Sequence, residues 1–220
     1  MPGQSLYSLP FLSGIPVRGT MGHSVMQTRS IAVRVEQDVP GLSKRVETHQ
    51  FLCHHTKRAL CDVTVTVASS CLSYGRVTIS TRYTDPNSQK LRTHTQSQSW
   101  FKNRCGESLM CVSRFSLPDA LKRRGIGTRI WSIIYDALPD DLKGSLLLTG
   151  SLSATDVLVP RTDNEGRVIL AEKEPEMLNQ IGIRNRFWSR MLAQETPGKP
   201  PLWCDEKGAG AFRGFFIRPE

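Results

Sequence analysis

Lys122-Arg123-Arg124-Gly125-Ile126-Gly127-Thr128 is the stretch on which the reading of the fold turns. Two glycines one residue apart let the backbone bend tightly and lie close to a ligand with no Cβ in the way. Ile130, Ile133, Ile134, Ala137 and Leu138 follow at i, i+3, i+4, i+7 and i+8, which is the stripe of one apolar helix face. A helix beginning at about Thr128 aims its unpaired first amides back at the glycines, and such a start favours anions, phosphates above all. Three cations stand directly before the glycines. A solvated basic turn ahead of an ordinary core helix explains the same residues without a ligand, and short glycine motifs often match by chance.

Working outward, Ser108–Leu117 reads as a strand, with Leu109, Cys111, Phe115 and Leu117 on one side and Met110 and Val112 on the other. Apolar residues on both faces predict a central strand covered twice. Pro139-Asp140-Asp141 closes the helix, and Ser145–Leu152 is a second buried strand, so the segment predicts a βαβ unit with a right-handed crossover. Upstream, Cys61–Val67 and Tyr74–Tyr83 alternate with period two, and Asp85-Pro86-Asn87 marks a turn. Together they predict an antiparallel meander with one wet face. Residues 84–107 are polar and read as a loop over the site or a weakly patterned hairpin. Nearer the start, Ile31–Val35 reads as a strand and Arg45–Arg58 as a helical piece. Downstream, Val157–Val159 and Val168–Leu170 predict a small hairpin, Pro175–Ala193 a helix, and Ala211–Ile217 with Trp203 a final strand pair or edge strand.

The segment Leu117-Pro118-Asp119-Ala120-Leu121-Lys122-Arg123-Arg124-Gly125-Ile126-Gly127 resembles the strand-to-helix acyl-CoA motif of the GNAT acyltransferases, whose loop amides hold the CoA pyrophosphate. Lys122 stands where that family has Arg or Gln. The resemblance is good over 109–155, weaker over 176–193, and rests on strand order alone before about 100. It implies an α/β (α+β) fold: a central mixed, mostly antiparallel sheet flanked by helices, with a βαβ acyl-CoA-binding unit. On that reading, residues 1–35 are a flexible basic leader and 36–220 are the acyltransferase domain, with an inserted hairpin near 157–170.

The resemblance also implies a function, an acetyl-CoA-dependent N-acetyltransferase acting by direct transfer to an amine of a protein or other macromolecule. The cofactor would lie on Phe115, Ser116, Leu117, Lys122, Arg123, Arg124, Gly125, Ile126, Gly127 and Thr128, with Asn185 and Trp188 contributed by the late helix. Glu107 at the start of the central strand is the nearest candidate base. Trp188 occupies the position where a tyrosine is expected, and an indole cannot protonate the leaving thiolate. Cys111 invites an acyl-cysteine step, but it reads better as a buried structural thiol, because reactivity needs a thiolate.

Composition bounds the rest. A hydrophobic fraction of 39% and a charged fraction of 22% predict one globular domain, and no apolar run approaches the ~18–20 residues of a membrane helix. The net charge of +9 is uneven: residues 1–110 carry 13 Lys and Arg against 6 Asp and Glu, and residues 111–220 carry 16 against 14. That excess suits an anionic partner. The six cysteines are scattered and predict reduced thiols in a cytoplasmic setting. His49, Cys53, His54, His55 and Cys61 are metal-ligand types, but at spacings that match no closed zinc pattern. The acid-free first 35 residues fit a disordered segment, a transit peptide or the leader of a bacterial effector secreted into a host cell. Two other functions fit the same sequence: a basic nucleic-acid-binding protein, and a catalytically degenerate interaction domain. The sequence sets neither the acceptor nor the oligomeric state.

Overall fold

The computed structural model describes residues 26–39, 42–70, 73–113, 115–153, 159–162, 165, 168–171 and 174–220. Five long strands open the chain as an antiparallel meander: β1 (Gln27–Val39), β2 (Leu42–Leu52), β3 (Ala59–Ser70), β4 (Tyr74–Thr84) and β5 (Leu91–Lys102). The short β6 (Ser108–Cys111) pairs antiparallel with β5. A loop and α1 (Ile126–Ala137) then lead to β7 (Leu147–Leu152), which lies parallel to β6. The small pair β8 (Val159–Thr162) and β9 (Val168–Ala171) stands apart as a two-stranded sheet, where a hairpin is expected. After α2 (Glu174–Ser189) come β10 (Leu192–Ala193), β11 (Leu202–Cys204) and β12 (Gly210–Phe216). The main sheet has ten strands in the order β1-β2-β3-β4-β5-β6-β7-β12-β10, with β11 also paired to β12.

Side-chain alternation divides this sheet into a dry face and a wet one. Val63, Val65, Val67, Val77, Ile79, Trp100, Met110, Leu148, Phe212 and Phe216 lie on the dry face and are all buried. β-branched residues pack well on such a pleated, half-buried surface. Thr64, Thr66, Thr78, Ser80, Thr95 and Ser97 alternate with them on the wet face and join across strands, as in Thr48 to Thr64 (3.1 Å) and Thr78 to Ser97 (3.1 Å). The helix stripe is as expected: Ile130, Ile133, Ile134, Ala137 and Leu138 are buried, and α1 packs on β2 and β3. Trp131 of α1 and Trp188 of α2 both meet the Phe212–Phe216 side of β12, so both helices lie on the dry face.

The helix-flanked α/β architecture is therefore overturned. Among the described residues there are two α-helices against a ten-stranded sheet, and both sit on one face of it. Two local expectations fail for a related reason. Arg45–Arg58 is not helical: most of it is β2 and a turn. Its dry-face positions are Arg45, Glu47, His49 and Phe51, which show no apolar alternation. They are tolerated because buried Glu47 accepts hydrogen bonds from Arg45 Nε (2.7 Å) and pairs with His49 Nε2 (2.9 Å). Residues 91–102 are a full strand with His94, Gln96 and Gln98 turned inward, so the expected loop or weak hairpin is instead a central strand. The predicted strand Ser108–Leu117 stops at Cys111 as a paired strand.

Candidate functional site

In an antiparallel meander the β2–β3 and β4–β5 turns leave the sheet at the same end. β6 runs toward that end, antiparallel to β5, and its last residue Cys111 stands opposite Ser99. The loop to α1 continues in that direction along β5, where Ser116 engages Gln96 and then His94. Cys53–Arg58 and Asp85–Lys90 are built alike: in each, the first residue's N–H donates to the sixth residue's C=O (2.9 Å), and the fifth residue's N–H donates to the first residue's C=O (2.8 Å). Each turn has a left-handed fifth residue, Lys57 at φ 55° and Gln89 at φ 55°. Arg123 at φ 59° is the third non-glycine residue with positive φ among the described residues, so all three lie at this end. Such backbone is sparsely populated and collects at functional sites.

The charge at this end is one-sided. Segments 53–59, 82–92 and 118–125 contribute eight cations (Lys57, Arg58, Arg82, Lys90, Arg92, Lys122, Arg123 and Arg124) against Asp85 and Asp119, with Asp62 opposite Arg82 in register. Asp85 pairs with Arg92 (3.2 Å) and Asp119 with Lys122 (2.7 Å). The backbone N–H of Asn87, the Ser88 hydroxyl and then Arg92 hold the Asp85 carboxyl below its ordinary range. Six cations are left without an ion-pair partner among the described residues. His54 and His55 stand edge to face in the same turn.

Arg124 links the loop to the first turn electrostatically, since its charge acts on both Cys53 and Cys61. The two thiols nevertheless diverge. Hydrogen bonds from the Thr56 side chain and then from the Thr56 and His55 backbone draw the Cys53 thiol below its ordinary 9.0. Burial pushes the Cys61 thiol up to about 12. Cys53 thus forms thiolate at lower pH than an ordinary thiol, while Cys61 stays protonated well above it. Iodoacetamide at about pH 8, read by peptide mass spectrometry, is expected to modify Cys53 readily and leave Cys61 intact. A polyanion seated on Arg124 should shield Cys53. Equal labelling of the two thiols would contradict this environment.

The helix start is open. Gly125 caps α1 at φ 76° with no side-chain hydrogen bond to the first turn, and a Cβ there would meet nothing within 4 Å. Ile126 is buried and Thr128 half-buried. Gly127 has a different purpose: a Cβ on it would lie 3.0 Å from Phe187 and 3.5 Å from Leu117 and Phe115, so its glycine serves packing. Phe115 stacks on Phe187 (5.6 Å) and meets Trp131 and Trp188 edge-on, and Trp188 stacks on Phe212 (4.4 Å). These rings join the loop after β6 to α1, α2 and β12. Trp131 Nε1 is buried there with no hydrogen-bond partner among the described residues.

Other expected site residues do not converge on the loop. Gln96 occupies the Ser116 backbone on both sides: Ser116 N–H donates to Gln96 Oε1 and Ser116 C=O accepts from Gln96 Nε2, each at 3.1 Å. Glu107 lies in the β5–β6 turn at the opposite end of β6, accepting from Asn103 Nδ2 (2.7 Å). Asn185 donates to Cys204 Sγ (3.1 Å). Cys111 is exposed, which corrects the expectation of a buried thiol, and it faces the wet side. Among the described residues no three His, Cys, Asp or Glu side chains are placed to hold a metal ion. No described helix is long and apolar enough to cross a membrane.

Each basic segment was visible in the sequence as two or three cations beside a turn. Their convergence was not, because strands of 11 and 12 residues separate them. The chain matches no family model, no curated protein and no solved structure.

Proposed function

We propose that this protein binds nucleic acid, gripping the phosphate backbone at the hairpin end of its sheet. One observation carries the reading: three segments distant in sequence bring six cations, without an ion-pair partner among the described residues, toward one end of the sheet. Phosphate contacts by Lys and Arg release condensed counterions, so affinity falls steeply with salt. Six contacts correspond to a log–log salt slope of about −4 on a single strand and about −5 on a duplex. Fluorescence anisotropy of a labelled oligonucleotide across roughly 50–300 mM KCl measures this directly. A slope near these values supports the reading. Absence of binding, or binding indifferent to salt, overturns it.

A second reading, acyl-CoA binding with transfer to an amine, is favoured by one specific feature. β6 and β7 run parallel from Leu109↔Leu147 to Cys111↔Thr149, with Val112 N–H donating to Thr149 C=O (2.8 Å), and the chain leaves β6 for the glycine-capped helix before returning as β7. Acetyl-CoA titrated by calorimetry against wild type and Thr128→Glu separates the two readings. The new carboxylate suits a helix start while repelling a pyrophosphate. Micromolar binding lost in the variant would favour the acyl-CoA reading. Glutamate at Gly127 would be a poor choice, since it would strike Phe187 and test packing instead.

A further inference from the structure

The wet face of the meander ends, far from the basic turns, in an aromatic platform. Tyr74 and Phe101 are register partners on β4 and β5, and each is 41% exposed although it is a large ring. Neighbouring aromatics left half in solvent on an otherwise hydroxyl-lined face are unusual, because both strands offer dry positions one residue away. Tyr74 is oriented by Ser99 Oγ (3.4 Å) and by Arg76 Nη2 (3.5 Å). Beside it lies a depression of about 360 Å³, whose walls include Leu42, Lys44, Ser70, Tyr74, Arg76 and Glu36. Glu36 and Lys44 pair with each other there (2.9 Å), so an apolar wall, a ring edge and the Arg76 guanidinium are left to suit a flat heterocycle carrying a phosphate. Sugars and aliphatic chains use less of that set.

We propose that the platform stacks the bases of single-stranded nucleic acid whose backbone is anchored at the hairpin end. This deepens, and rests on, the nucleic-acid reading. The open face joins the two regions: Arg82 and Arg76 stand at its two ends on β4, with Ser80 and Thr78 between them and Thr95 and Ser97 opposite on β5. The 11 residues of strand from Tyr74 to Thr84 span ~33 Å, enough for on the order of ten stacked nucleotides. A duplex has its bases paired and inward, so it cannot use the rings. Stacking on aromatic side chains tolerates any base, because every base has a π face.

The test uses the full chain, a fluorescein-labelled 15-nucleotide oligo(dT) and a 15-base-pair duplex. Tyr74→Leu with Phe101→Leu keeps apolar bulk and removes the rings, and circular dichroism checks the fold. Oligo(dT) affinity is expected to fall roughly 30-fold, with its salt slope and the duplex affinity unchanged. Tyr74→Phe with Phe101→Tyr should retain wild-type affinity. A loss below about twofold in the leucine pair, or wild-type preference for duplex, overturns the platform while leaving the hairpin-end reading standing. Wild type that binds neither probe removes both.

Discussion

Arg58→Glu, Arg123→Glu and Arg124→Glu combined should lower oligonucleotide affinity on the order of 100-fold at about 0.1 M salt and flatten the log–log salt slope by about three phosphate contacts. Arg58 comes from the β2–β3 turn and the other two from the loop before α1, so the triple variant tests the convergence itself. The three side chains are exposed and in no ion pair among the described residues. Reversing them removes like-charge repulsion and leaves the core untouched, so melting behaviour should hold or improve slightly. Reversing Arg34, which lies on β1 at the edge of the sheet and faces Glu36 (3.7 Å), supplies the control. If that single change costs as much as the triple, net charge alone drives binding and the hairpin end holds no site.

Gly75→Ala is expected to be among the most damaging single methyl additions in the chain, costing ~3 kcal/mol or more of stability. Gly75 pairs with Trp100 across β4 and β5, and a Cβ would sit 1.9 Å from Trp100 Cζ2. The indole cannot retreat, since it is 2% exposed and faces Met110 on its other neighbour. Trp100→Leu alone should cost about 2–4 kcal/mol through the cavity it leaves. In the double variant the smaller side chain makes room for the methyl, so the two losses should fall short of their sum, a coupling that urea denaturation can resolve. Additive losses would mean that the glycine is required for some other reason. The pair matters for function because Tyr74 and Phe101 are the next residues along the same two strands.

The strands that sequence reading missed share one property. β2 and β5 turn polar residues toward the helix layer: Arg45, Glu47 and His49 in one, His94, Gln96 and Gln98 in the other. Hydrophobic alternation detects a strand only when its inward positions are apolar. Here those positions are satisfied by hydrogen-bond partners, within the strand itself in β2 and beyond the strand in β5. Glu47 has Arg45 and His49, Gln98 Oε1 accepts from Ser113 N–H (3.2 Å), and Gln96 holds Ser116. Those hydrogen bonds exist only after folding. The same contacts explain why the acyl-CoA motif misled the reading of the fold. Its glycines, apolar helix and parallel strands are present, yet Gln96 engages the backbone of Ser116, and Phe187 packs against Gly127.

From sequence alone came the α1 stripe, the alternation of β3 and β4, the parallel β6–α1–β7 unit and the excess of positive charge. Each is a local regularity, legible because the residues that make it lie within one period of one element. Tertiary structure alone decided that both helices cover one face, that polar β2 and β5 complete the sheet, and that three basic turns share an end with the rings far from it. Pairing between strands brings residues tens of positions apart into register, and one sequence period carries no trace of that neighbour.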